Sequence, residues 1–270
     1  MEMKGMMGGL YKISEWIMRL FVINITWILC SAPYILLLGP VFTTATESHG
    51  IALILSSIVA PFTLFPATAA MFAVARKWVM GETDVPLLRT FFRGYKENYK
   101  QSMIGGIVFV LLLGILIADM KIYWTELQSL KFVSYLFIGL LILISVSLIN
   151  FFSMVVHYHM KTRHLLRNAV LLTIGRPIRT LSTIVMCGVI IFISFSSPKL
   201  MFIIPFFSGS LIAVIAFWNF YSIYLKLQLQ AEKAAEAAAE AEAEKVKDES
   251  GENETQVVLT KGPEGQDSSK

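Results

Sequence analysis

The chain has 270 residues, 56% of them hydrophobic and 16% charged, with 23 Lys+Arg against 19 Asp+Glu for a net charge of +4. So apolar a balance argues against a water-soluble domain. Nor is the basic excess the footprint of a nucleic-acid binder, because the cations stand in the connections that flank apolar runs, with no nucleic-acid motif beside them.

Charge is unevenly distributed along the chain. Residues 1–230 hold 18 Lys+Arg and 8 Asp+Glu, a net of +10, whereas residues 231–270 hold 5 and 11, a net of −6. The sequence therefore reads as a basic membrane body with an acidic tail. Cys30 and Cys187 both fall inside apolar runs and imply no disulfide framework.

Met1 to Arg19 carries Lys4, Lys12 and Arg19 among apolar residues and is expected to be an interfacial segment. The apolar run after it is too long for a signal-peptide core and lacks a cleavage site. Six membrane-length segments follow: Leu20–Leu38, Ile51–Ala75, Met103–Ala118, Phe132–Val156, Ile178–Ser197 and Leu200–Tyr224. About 20 apolar residues cross a bilayer as α-helix, so the expected fold is an all-α, polytopic bundle of six transmembrane helices spanning residues 20–225. Pro61 and Pro66 are expected to interrupt the second segment and Pro205 the sixth, which requires neighbouring helices to take up the freed carbonyls.

After the second segment, Arg76, Lys77 and Trp78 form a cationic and aromatic edge, and Gly81 breaks the chain. Asp84 is placed to cap a further helix with Pro86 in its first turn. That helix, near 84–100, is amphipathic. Leu88, Phe91, Phe92, Tyr95 and Tyr99 recur at helical spacing, and Arg89, Arg93, Lys96 and Lys100 line another side. Such a segment lies on a membrane surface or docks a cytoplasmic partner, and periodicity does not separate the two. The expected lipid- or partner-docking residues are therefore Arg89, Phe91, Phe92, Arg93, Tyr95, Lys96, Tyr99 and Lys100.

The same stretch resembles a known family. FPATAAMFAVARKW, then GETDVPLLRTFF and YKENYKQS, are similar to the signature region of the YesL-like bacterial integral membrane proteins, over about Gly8 to Leu225 and without the tail. The resemblance implies a polytopic protein of the bacterial cell membrane, often encoded beside carbohydrate uptake systems of the ABC type, whose subunits become candidate partners along with membrane lipids. It carries over no catalytic residue.

A second surface helix is expected near 161–174, where Leu165, Leu166, Ala169, Leu172 and Thr173 fall at helical spacing, Gly175 ends the run and Pro177 opens the next span. Leu87-Leu88-Arg89 matches Leu165-Leu166-Arg167, which fits either an internal duplication or convergence on loop physics. These two connections hold most of the loop cations, whereas those near 39–50, 119–131 and 198–199 hold few. The bias places both large connections, and both termini, in the cytoplasm. Residues 226–249 read as a charged Ala/Glu helical extension and 250–270 as a disordered tail. The tail is expected to rest transiently on the basic surface helices.

Deep ionisable residues, the usual pointers to transport or proton relay, are nearly absent from the spans. Asn24, Asn150 and Asn219 are the polar candidates, either as interhelical hydrogen bonders or as a lining for a polar solute. His157 and His164, seven apart, would share a helix face, without a carboxylate or cysteine to complete a metal site. No catalytic, cofactor or metal residue is expected. The leading reading is a non-enzymatic membrane protein accessory to a carbohydrate ABC-type uptake system. A permease component for a small polar solute and, further off, a membrane enzyme are the alternatives.

Overall fold

The computed structural model describes residues 6–43 and 49–260. Among them the secondary structure is helical throughout: α1 (Met6–Cys30), α2 (Ala32–Leu38), α3 (Pro40–Thr43), α4 (His49–Val59), α5 (Leu64–Val79), α6 (Leu87–Thr125), α7 (Phe132–His157), α8 (Thr162–Gly175), α9 (Pro177–Phe195) and α10 (Gly209–Thr260). Among the described residues five helices are long and apolar enough to cross a bilayer, and a sixth crossing arises if α4 and α5, bent by 47° at a short break, count as one span. The chain is thus a polytopic all-α membrane bundle of five or six spans. It divides into two units, Met1–Tyr221 and Ser222–Lys270.

The first unit is built around α5. Ten of its side chains are buried, among them Phe65, Ala67, Ala69, Ala70, Met71, Phe72 and Trp78. The run of alanines lets neighbouring backbones come close, as bilayer packing favours. Helix α6 lies alongside and meets α5 with its own glycines. A Cβ on Gly94 would stand 2.6 Å from that of Ala73, and one on Gly106 would stand 2.7 Å from the Phe65 ring. A chain of rings, Phe72 and Phe65 on Phe152, Phe152 on Phe151, Phe151 on Phe109, carries the core from α5 through α7 to α6 at centroid separations of 5.5–5.9 Å.

Several boundaries differ from the sequence expectations, each for a local reason. The segment 1–19 and the first span are not separate elements, since α1 runs unbroken through Arg19 to Cys30 and the chain turns at Ser31 before α2. The break in the second span falls at Ala60–Thr63, beside Pro61. Pro66 breaks nothing, because it sits in the first turn of α5, where no N–H is needed. The surface helix near 84–100 and the third span are one 39-residue helix. At the α-helical rise α6 is about 58 Å long, nearly twice a bilayer's hydrocarbon thickness of about 30 Å. Apart from Leu88 in the first turn, its exposed aliphatic side chains are Ile104, Ile107, Leu111, Leu112, Ile115, Ile117 and Ile122, all from Ile104 onward. The first half therefore reaches beyond the apolar belt.

The opposite end of the belt is marked by Tyr123 stacked on Phe137 (5.5 Å), Trp124 edge-on to Tyr135 (6.2 Å) and Lys131 4.2 Å over the Trp124 ring, an aromatic and cationic interface girdle. In the second unit, α10 continues from Ser222 to Thr260, so residues expected to be disordered from 250 are helical as far as Thr260. Residues 1–5, 44–48 and 261–270, with part of the connection near 39–50 and the end of the tail, lie outside the described residues.

Candidate functional site at the cationic end

The two cation-rich connections meet at one end of the bundle. Gln101 on α6 donates to the Met160 carbonyl, 2.8 Å away, in the link between α7 and α8. Helix α8 is pinned to α7 by its buried Leu165, Ala169 and Thr173. Thr173 Oγ1 accepts from Asn150 Nδ2 at 2.9 Å and lies 3.1 Å from Ser147 Oγ, and its carbonyl accepts from Thr180 Oγ1 at 2.6 Å. This polar cluster fixes a surface helix against a span, so the cations around it have a set position.

Arg19 closes the same end. Its guanidinium, shielded from solvent, donates to the Thr83 carbonyl and the Glu15 carboxylate, and to Asp84 Oδ1 at 3.0 Å. It also lies 5.7 Å over Trp16, which is edge-on to Trp78 at 5.4 Å. Asp84 thus serves as an anchor for Arg19. The N-cap of α6 is Pro86, with no side-chain cap, and Gly81 supplies the turn with φ of 93°. Arg19→Ala should cost about 2 kcal/mol, because it orphans the Thr83 carbonyl and removes charge-assisted bonds. Asp84→Asn should cost less than about 1 kcal/mol, since that carboxylate is exposed. Thermal midpoints in mild detergent compare the two.

The expected docking row is only partly available. Phe91 is fully buried in the core, so it belongs to packing and not to a docking face. Tyr95 is half-buried against the core, and Tyr99, 5.7 Å from it, sends its hydroxyl to the Phe62 carbonyl at 3.3 Å. Arg89, Phe92, Arg93, Lys96 and Lys100 are exposed, with Arg93 bound to Glu97 at 2.8 Å. What remains outward is a cationic row with Phe92 and Leu88, on the part of α6 beyond the belt.

The three asparagines tie different helix pairs. Asn24 Nδ2 donates to the Pro205 carbonyl at 2.6 Å and Oδ1 accepts from the Ser210 N–H at 2.9 Å. Its carboxamide thereby spans the irregular turn Ile204–Ser208 that opens the last span. Pro205 has no N–H for the Met201 carbonyl, which instead accepts from Ile204 at 3.1 Å. Gly209 leaves the room, since a Cβ there would lie 2.8 Å from Asn24 Oδ1. Asn150 joins α7 to α8 as above. Asn219 on α10 donates to Thr183 Oγ1 at 2.5 Å and the Arg179 carbonyl at 3.0 Å on α9, and accepts from Arg179 at 3.3 Å.

His157 ends α7 among the rings of Tyr158, Phe217 and Phe220, at centroid separations of 5.0–6.0 Å. The chain breaks helix between it and His164, so the seven-residue spacing does not put the two on a common face. Among the described residues no group of three or more His, Cys, Asp or Glu is arranged to hold a metal ion. Two clefts open at this end. One of about 350 Å³ lies between the end of α7 and α8, and one of about 220 Å³ lies among Trp16, Trp78 and Trp218.

A belt of exposed aliphatic side chains, spans broken at prolines and a packed, cation-rich end define an integral membrane helix bundle. Residues 20–120 match the family described as protein of unknown function, DUF624. Three proteins of Bacillus subtilis (strain 168) are similar. The uncharacterized protein YteU is 29% identical over 84% of this chain and 90% of its own length. The uncharacterized protein YesL is 30% identical over 77% of this chain and 86% of its own length. The uncharacterized protein YesV is 33% identical over 56% and 71%. The chain belongs to this YesL-like, DUF624 family. No solved structure matches it.

Proposed function

We propose that the chain is a non-enzymatic accessory subunit of a carbohydrate ABC-type uptake system, docking a cytoplasmic part of that system on the outward row of α6. One observation carries the reading. Arg89, Arg93, Lys96 and Lys100 lie on a rigid helix that extends past the apolar belt, its inner side locked by Phe91 and Gly94. A helix held in that way loses little freedom when a partner binds, which favours a docking role over a floppy connector. The carbohydrate link comes from the family resemblance, and the cytoplasmic placement of this end and of both termini follows from the bias of loop cations. The non-enzymatic part rests on the sequence, which offers no acid–base constellation at a useful depth.

Replacing Arg89, Arg93, Lys96 and Lys100 together by glutamine should cut recovery of the transporter subunits with the detergent-extracted protein by about tenfold or more. Raising the salt should release them from the parent protein, because exposed ion pairs are screened within about 10 Å at 0.1 M. Undiminished recovery from the fourfold variant would refute the docking role.

A further inference from the structure

The cleft between the end of α7 and α8 combines an apolar wall with a cationic mouth. Met154, Met160, Leu171 and Leu172 form the wall, while Tyr158, Asn168 and Arg176 bring polar groups to it. Its volume of about 350 Å³ falls in the range of ligand sites. It lies where one candidate span ends at His157 and the next begins at Pro177, a position that corresponds to headgroup depth. Leu171, Ile174, Ile178 and Leu181 are all more than half exposed, so an apolar track leads from the cleft along α9.

Charge narrows the occupant. From Leu127 to Ala231 the chain has no Asp or Glu, while Lys161, Arg163, Arg167 and Arg176 surround α8. Among the described residues none of these four forms an ion pair. An anion therefore complements them, either a carboxylate of the acidic tail or a phosphate from outside the chain, and a guanidinium fits both with two parallel N–H bonds, so the apolar wall and track decide for the phosphate of a lipid. The apolar wall and track would be wasted on a free anion. A zwitterionic headgroup would bring an ammonium to a region without a carboxylate.

We infer that this cleft is a binding site for one anionic phospholipid, with Arg176 and Asn168 on the phosphodiester and an acyl chain along Leu171 and the face of α9. The site is separate from the cationic row on α6 and does not depend on its docking role.

Full-length protein, stripped of lipid in detergent, is offered phosphatidylglycerol, phosphatidylcholine of the same chains, or inorganic phosphate, and bound molecules are counted by native mass spectrometry. One phosphatidylglycerol should be retained with at least about tenfold preference over phosphatidylcholine. The preference should vanish in Arg176→Gln, occupancy should fall in Leu171→Trp, which fills the cleft, and Lys199→Gln, away from the cleft, should change neither. Only variants with the parent's lipid-free thermal midpoint are compared, and Arg176→Lys, which keeps the charge, replaces an unstable Arg176→Gln and should lower the preference without abolishing it. Equal retention of the two lipids, an undiminished preference in the Arg176 variant, or displacement of the lipid by millimolar phosphate would each overturn the assignment.

Discussion

Gly105→Ala should destabilise the bundle by about 1–3 kcal/mol, the usual cost of overpacking a full core. A Cβ at this position would stand 2.1 Å from Phe151 Cζ and 2.4 Å from Cε1. The ring cannot retreat. Phe151 is fully buried, with Phe109 at 5.5 Å on one side and Phe152 at 5.9 Å on the other. Alanine is the better helix former by about 1 kcal/mol, which works against the loss without cancelling it. Gly114 on the same helix supplies the internal control, since nothing lies within 4 Å of a Cβ there. Gly114→Ala should be neutral or mildly stabilising, and thermal unfolding in detergent reads both. A larger side chain at Gly105, such as Val, should lower the yield of folded protein sharply.

Asn24→Leu should cost about 2 kcal/mol and loosen the start of the last span. It removes partners from the Pro205 carbonyl and from the buried Ser210 N–H. Orphaned buried groups cost about 1–3 kcal/mol each, but within membranes such bonds are worth less, so the loss stays near the lower end. Thr26→Val is the matched control two residues along, because that hydroxyl only returns to the Val22 carbonyl of its own helix at 2.7 Å. Its cost should stay below about 1 kcal/mol. Hydrogen exchange at 203–210 separates the two variants further. It should speed up in Asn24→Leu and remain unchanged in Thr26→Val.

Features governed by neighbouring residues were readable from the chain. The Gly175 stop and Pro177 start of α8 and α9, the break beside Pro61 and the turn at Gly81 all follow from backbone chemistry within a few positions. Long-range relations were not readable. Gln101 and Ser102 look like a polar interruption between a surface helix and a span. In the fold Gln101 reaches Met160, Ser102 bonds back to the Asn98 carbonyl at 2.8 Å, and the helix runs on. Phe91 and Phe92 have the same chemistry, yet one is buried in the core and the other is exposed, since an apolar stripe does not say whether lipid or protein covers it. Asp84 resembles a cap until Arg19, 65 residues earlier, takes its carboxylate. Among the asparagines, amide chemistry marked the candidates, whereas which helices each one joins depended on the packing.

Side-selective labelling tests most directly whether the cations collect at one face of the membrane. With Cys30 and Cys187 replaced by alanine, single cysteines at Lys96 and Arg167 would probe the cationic end, and single cysteines at Lys131 and Lys199 the other. In intact cells an impermeant maleimide should label Lys131→Cys and Lys199→Cys and reach Lys96→Cys and Arg167→Cys only after permeabilisation. Labelling of Lys96→Cys or Arg167→Cys from outside, as fast as the other pair, would contradict a one-sided collection of cations.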